Sequence, residues 1–170
     1  TAGSVVNLYA ADLNESGRAG VLAGSEDNHA YVLFGNGMLR WSYDTGRNVS
    51  AVCAADLNGD GLSEIFIASE QGVLYALRLD GVVLWRNDLR DTLLALYAGD
   101  LNSDGHVYVA TGTQGGELYL LGANGLPVWQ YTVPGRLLSV CPGDVDGDRY
   151  TEIVAGSMEG LLYIVTQGGT

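Results

Sequence analysis

Between residues 49 and 88 the apolar positions fall into four short runs separated by polar or glycine-bearing breaks. "VSAVCAAD" (49–56) reads as a strand, and beyond an acidic stretch "EIFIAS" (64–69) is rich in isoleucine and phenylalanine. No run is long enough to show a helical stripe before "EQG" interrupts it, so this second run also reads as a strand. "VLYALRL" (73–79) and "VVLWRND" (82–88) follow, joined at Asp80-Gly81, a pair that signals a two-residue hairpin. The pattern predicts four short strands joined by tight turns.

The unit recurs every 44 residues without slippage, as the positions of its acids and aromatics show. Acidic stretches begin at Asp12, Asp56, Asp100 and Asp144, while Tyr31, Tyr75, Tyr119 and Tyr163 hold the same spacing, as do Trp41, Trp85 and Trp129. The turn pairs Asn36-Gly37, Asp80-Gly81, Asn124-Gly125 and Gly168-Gly169 keep it too. Four strands in a repeat of this length are the signature of a β-propeller blade rather than of a helical solenoid or a sandwich. The expected fold is therefore all-β, with blades over about 4–47, 48–91, 92–135 and 136–170 of a single propeller unit.

The fourth copy stops where its outer strand should begin. An unpaired sheet edge is a liability that proteins cover or pair. The expectation is a segment of a larger propeller, or a ring completed by a homodimer.

Each acidic stretch has the alternation of a calcium loop. "DLNGDGLSE" (56–64) fails as an EF-hand, because the twelfth position, Ile67, is not an acid and a strand follows in place of the exiting helix. Its acid comes at position 9, Glu64. Calcium takes six to eight oxygens at flexible geometry, and the second loop offers Asp56, Asn58, Asp60, the carbonyl of Leu62 and Glu64. The fourth offers Asp144, Asp146, Asp148, the carbonyl of Tyr150 and Glu152, with Arg149 where the others place a glycine. The third has Asp100, Asn102, Asp104 and the carbonyl of His106, but Tyr108 replaces the acid. The first keeps Asp12 and Asn14, with Ser16 at position 5 and Gly20 at position 9. Two calcium sites are expected in the second and fourth loops, a weaker one in the third, and a vestige in the first. The competing reading of each loop is an Asx-rich turn that caps its own backbone.

Two stretches, "ADLNGDGLSEIFIAS" (55–69) and "GDVDGDRYTEIVAGS" (143–157), resemble the FG-GAP/VCBS repeats of integrin-α-type and bacterial cell-surface propellers. That resemblance implies calcium held between two strands of a blade. "LYALRLDGVVLWRND" (74–88) and "LYLLGANGLPVWQYT" (118–132) also resemble the quinoprotein (PQQ-like) propeller repeat. Such propellers serve many purposes, so architecture is implied more strongly than activity.

Composition narrows the partners. The net charge is −12, with twenty acids against eight arginines and no lysine, and eleven of the acids sit in the four loops. This balance argues against nucleic acid, whose phosphate backbone needs a basic stripe. No apolar run reaches the ~18 residues of a membrane helix. Cys53 and Cys141 lie two repeats apart, too far for a bridge across an intervening blade, and are expected as buried free thiols. Repetition of the tryptophans and tyrosines points to packing between blades. Neither an acid/base pair nor a nucleophile with a base stands out. The reading is a non-enzymatic calcium-stabilised module for binding or assembly, extracytoplasmic, with a protein or glycan ligand. A quinoprotein-like dehydrogenase fragment and a lectin with glycan sites between blades are the alternatives.

Overall fold

A computed structural model describes residues 1–101, 105–166 and 168. The first sheet is a meander of β1 (Val5–Ala11), β2 (Gly20–Ser25), β3 (His29–Leu33) and β4 (Leu39–Asp44). The second repeats it with β5 (Val49–Ala55), β6 (Glu64–Ser69), β7 (Val73–Leu77) and β8 (Val83–Asp88). The third has β9 (Leu93–Asp100), β10 (Val107–Thr113), β11 (Glu117–Leu121) and β12 (Pro127–Thr132). The fourth has β13 (Leu137–Gly143), β14 (Glu152–Ser157) and β15 (Leu162–Val165). Every pairing is antiparallel and joins strands adjacent in sequence. These are the blades of a β-propeller, the last without a fourth strand among the described residues.

The sheets stack side by side through their first strands, β1 against β5, β5 against β9 and β9 against β13. Burial follows from that stacking. A sheet between two others is covered on both faces, so β6 and β7 are buried at every residue, whereas β4 and β8 on the outside alternate between exposed and half-buried. Each junction has its own apolar cluster. Leu22 and Val32 meet Val49, Ile65, Ile67 and Leu77 at the first; Phe66 and Leu74 meet Leu93, Val109 and Leu121 at the second. At the third, Leu118 and Leu120 meet Leu137 and Ile153.

The repeated tryptophans fasten these junctions. Trp41 Nε1 donates to the Leu79 carbonyl at 2.9 Å, and Trp85 Nε1 donates to the Ala123 carbonyl at 2.9 Å. Both acceptors lie 38 residues ahead, in the next blade. Trp129 Nε1 is buried and has no partner among the described residues, and the equivalent acceptor, residue 167, lies outside them.

Two sequence expectations need correction. The Asp80-Gly81 connection is not a two-residue hairpin. Arg78 N–H donates to the Val82 carbonyl and Gly81 N–H to the Arg78 carbonyl, both at 2.8 Å, enclosing the three-residue loop Leu79-Asp80-Gly81. A primed two-residue turn needs positive φ at both central residues, but Asp80 is not left-handed and only Gly81 is, at φ 89°. Cys141 is exposed, not buried. Its counterpart Cys53 is sealed by the third blade, and no described blade follows the fourth.

The acidic connections between first and second strands all turn through a left-handed residue. Gly17, Gly61 and Gly105 have φ of 75°, 81° and 81°, and Arg149 adopts φ 74° at the same place. Arg149→Gly should raise unfolding stability by about 1 kcal/mol, read by urea titration, because the left-handed penalty of a Cβ disappears. Phe66, with no exposed surface, is the largest fully buried side chain of the second junction. Phe66→Ala should cost about 3–5 kcal/mol in the same titration.

Candidate metal centre

The acidic loops begin at the inner strand of each blade and end on the second, so all four share one rim of the propeller. Adjacent loops are linked. Ser63 N–H donates to the Leu13 carbonyl at 2.9 Å, tying the second loop to the first. Thr151 Oγ1 donates to the Leu101 carbonyl, tying the fourth to the third.

Short polar side chains at alternate positions bend the chain around one point, because each can accept from a backbone N–H ahead of it. In the second loop Asp56 Oδ1 accepts from Asn58, Gly59 and Asp60 N–H at 3.3, 2.8 and 3.2 Å, and Oδ2 accepts from Gly61 N–H at 2.8 Å. Asn58 Oδ1 takes Asp60 N–H at 2.9 Å, and Asp60 Oδ1 takes Leu62 N–H at 2.8 Å. The fourth loop follows the same plan. Asp144 accepts from Gly147 at 2.7 Å and Arg149 at 3.0 Å, Asp146 from Asp148 at 3.1 Å, and Asp148 from Tyr150 at 2.8 Å. In the first loop Asp12 accepts from Asn14, Ser16 and Gly17 at 3.3, 3.1 and 2.6 Å. In the third, Asp100 Oδ2 accepts from Gly105 at 2.8 Å, and His106 closes the connection at the rim. Asn102 and Asp104 lie outside the described residues.

Self-capping accounts for the aspartates at position 1 but not for the glutamates at position 9. Glu64 and Glu152 open β6 and β14 and are only 2% and 5% exposed. Each accepts one backbone N–H, from Leu57 at 2.8 Å and Val145 at 3.1 Å. Neither makes an ion pair among the described residues. A buried carboxylate with no cationic partner is costly. In the fourth loop it is also crowded, since carboxylate oxygens of Asp144, Asp146 and Glu152 lie within 4.8 Å of one another.

Electrostatics separates the two kinds of acid. Burial pushes the Asp56 carboxyl up, but the N–H groups of Gly61, Gly59, Asn58 and Asp60 outweigh it and hold it below the usual range. Asp12 is lowered the same way, with Gly17, Asn14 and Ser16 overcoming its burial. For Glu64 burial wins. It lifts the carboxyl above its ordinary value, helped by the charges of Asp60 and Asp56 and only partly offset by Leu57 N–H. A hard cation reverses this, because it compensates the buried charge directly. Among the described residues only the fourth loop brings three carboxylates together, a set of hard oxygens that fits calcium; the second loop offers the same kinds of donor, with the Asn58 amide in place of one carboxylate, but its acids do not converge in this way. Where Glu64 and Glu152 stand, the first and third loops have Gly20 and Tyr108, and neither loop has a buried carboxylate among the described residues.

One residue at this rim was not singled out in the sequence. Glu15, left-handed at φ 53°, brings a carboxylate oxygen to 3.1 Å from where a Cβ on Gly61 would stand. The first loop thus extends an acid over the second. Its signal was an acid at position 4, where the second and fourth loops have Gly59 and Gly147.

Several solved structures share this fold. The crystal structure of BBS1N in complex with ARL6DN, soaked with lead, aligns over 98% of this chain and 50% of its own, with a TM-score of 0.75 and 14% identity. The crystal structure of Saccharomyces cerevisiae Sqt1 aligns over 98% of this chain and 47% of its own, with a TM-score of 0.82 and 12% identity. Identities this low speak for fold alone, and the chain spans about half the length of these structures. No curated protein matches it. The family model for the lambda-carrageenase β-propeller domain matches residues 45–130, from the end of the first blade through most of the third. That is half of the 170 residues, and the chain belongs to the lambda-carrageenase β-propeller domain family.

Proposed function

We propose that this chain is a calcium-stabilised propeller module of the FG-GAP/VCBS kind that works by binding, not by catalysis. The observation that carries this reading is the pair of buried glutamates, Glu64 and Glu152, each beneath an acidic loop and without an ionic partner among the described residues. Calcium at Asp56, Asn58, Asp60 and Glu64, and at Asp144, Asp146, Asp148 and Glu152, neutralises them. Each ion joins an inner strand to the next strand of its blade, so its role is structural. Sites of this kind in extracellular modules hold calcium at roughly 10⁻⁴ to 10⁻³ M, which suits an extracytoplasmic location.

A protein partner is the favoured ligand. The BBS1N structure is a propeller captured with a protein bound to it, and blade-edge loops on a rigid scaffold are suited to the same use. A carbohydrate partner is the second reading, favoured by the carrageenase propeller family to which the chain belongs. A glycan array against a protein pull-down separates the two.

Thermal melting tests the calcium. At a free concentration about ten times the dissociation constant, one site adds about 1.4 kcal/mol. The melting temperature should therefore rise on adding calcium and fall back with chelator, and a melting curve indifferent to both overturns the reading. Glu64→Gln makes a sharper comparison, because it removes the buried charge yet keeps an oxygen for Leu57 N–H. With chelator at neutral pH the variant should melt above the parent; with calcium the order should reverse.

A further inference from the structure

Three asparagines in the chain precede a glycine, at Asn36-Gly37, Asn58-Gly59 and Asn124-Gly125. Such a pair is chemically labile, because glycine puts no side chain in the way when its own nitrogen turns on the asparagine side-chain carbonyl. The fold treats the three pairs differently. Asn36 and Asn124 sit in the turns that lead to β4 and β12, and there the glycine N–H is fastened to main chain. Gly37 donates to the Phe34 carbonyl at 2.8 Å and Gly125 to the Gly122 carbonyl at 2.9 Å. The second of these is locked further. Gly125 is buried, the Trp85 indole lies 2.6 Å from where a Cβ on it would stand, and its carbonyl accepts from Asn87 Nδ2 at 2.7 Å. Turning that peptide nitrogen toward Asn124 would break a turn and a blade junction together.

Asn58-Gly59 lies in the acidic loop of the second blade. Both residues are exposed, and nothing stands within 4 Å of where a Cβ on Gly59 would be. Gly59 N–H donates to a side chain, Asp56 Oδ1, at 2.8 Å. That carboxylate also accepts from Asn58 and Asp60 N–H, so releasing Gly59 costs it one partner of several. Asp60 N–H donates to Asn58 Oδ1 at 2.9 Å and draws electrons from the amide carbon. Met38 and Leu126 do the same for Asn36 and Asn124 at 3.0 Å, so the difference between the pairs lies at the glycine. Only at Gly59 do open space and a base beside the peptide proton meet.

We propose that Asn58 is a site of spontaneous deamidation, and that its aspartate product gives the second loop the carboxylate set of the fourth. The Gly59 nitrogen attacks Asn58 Cγ, its proton passes to Asp56 Oδ1 and then to the side-chain amide nitrogen, and that nitrogen leaves as ammonia. A cyclic imide then joins the two residues. Water adding at Cγ breaks the bond just made and leaves aspartate; water adding at the backbone carbonyl leaves isoaspartate, with the main chain running through the side chain. One water is consumed, one ammonia is lost and no electrons change hands. Aspartate at 58 puts carboxylates at positions 1, 3, 5 and 9, as Asp144, Asp146, Asp148 and Glu152 stand in the fourth loop. Ligand charge tunes calcium affinity in loops of oxygen donors, so this product binds the ion more tightly. Isoaspartate does the opposite, because its extra backbone atom shifts the Asp60 and Gly61 N–H groups away from Asp56. The modification itself needs no calcium; only its consequence for affinity rests on the proposed function.

The test is ageing of the folded 170-residue chain in warm, mildly alkaline buffer with chelator, followed by peptide mapping with mass spectrometry. Asn58 should be the first of the three to show the mass gain of an amide turned to acid, several-fold ahead of Asn124, and its peptide should react with isoaspartyl methyltransferase. In denaturant the three should convert at similar rates, because the fold alone separates them. Asn58→Gln needs a larger ring to react, so this variant should lose the early acidic species on ion exchange while keeping the parent's circular dichroism. Asn124 converting as fast as Asn58 in the folded chain overturns the proposal. So does the same lead for Asn58 in denaturant, or an early acidic species that survives Asn58→Gln. Asn58→Asp should show a larger calcium-dependent rise in melting temperature than the parent, and a smaller one overturns the consequence for affinity. If Asn58 ages first while calcium moves neither melting temperature, the calcium reading falls and the modification stands. If calcium stabilises both proteins while Asn58 outlasts Asn124, the reverse holds.

Discussion

A propeller blade cannot bury itself. Each sheet presents two apolar faces, and only a neighbouring blade on either side removes both from water. The rest of the structure follows from that constraint. In the second blade it is met on both sides, and β6 and β7 are buried from end to end. In the fourth it is met on one side, so β14 remains largely covered while Leu162 and Ile164 of β15 stand in solvent. At roughly 25 cal/mol per Å² of apolar surface removed from water, covered junctions are the main stabilising contribution in such a fold. The tryptophans add direction to this non-directional force, since each indole N–H has one carbonyl to find in the next blade.

The acidic rim is built on the same frame. Side chains at alternate positions of each loop fold back onto N–H groups, which fixes the loop before any ion is considered. Asp12 and Asp56 at position 1 are thereby satisfied and held as carboxylates. The glutamates at position 9 are different, because they open strands whose first two residues are both buried and are drawn into the junction with them. Stacking of the blades thus buries the charge of Glu64 and Glu152. The bonds from Ser63 to Leu13 and from Thr151 to Leu101 tie the second loop to the first and the fourth to the third.

Much of this was legible in the chain, for physical reasons. Strands over 49–56, 64–69, 73–79 and 82–88 coincide with β5 to β8 within a residue or two, because alternation and turn residues are local properties. The acidic loops were legible as well, since the spacing of their oxygens is written in consecutive positions. The hairpin at Asp80-Gly81 was misread because a residue pair does not reveal whether Leu79 belongs to the strand or to the loop, and only the bond from Arg78 to Val82 decides it. Glu15 was passed over because its reach toward Gly61 depends on how two loops sit beside each other.

The sequence by itself determined the period, the four-strand unit, the connector that carries the acids and the residues that fasten one blade to the next. It did so because each is a pattern within a single 44-residue copy. Tertiary structure alone decided which copies of an apolar position are covered. Leu74, Leu118 and Leu162 are the same residue at the same place in three blades, yet the first two are buried and the third is 67% exposed. Cys53 and Cys141 differ in the same way. Burial belongs to the neighbour as much as to the residue, and no single repeat says whether a neighbour is there.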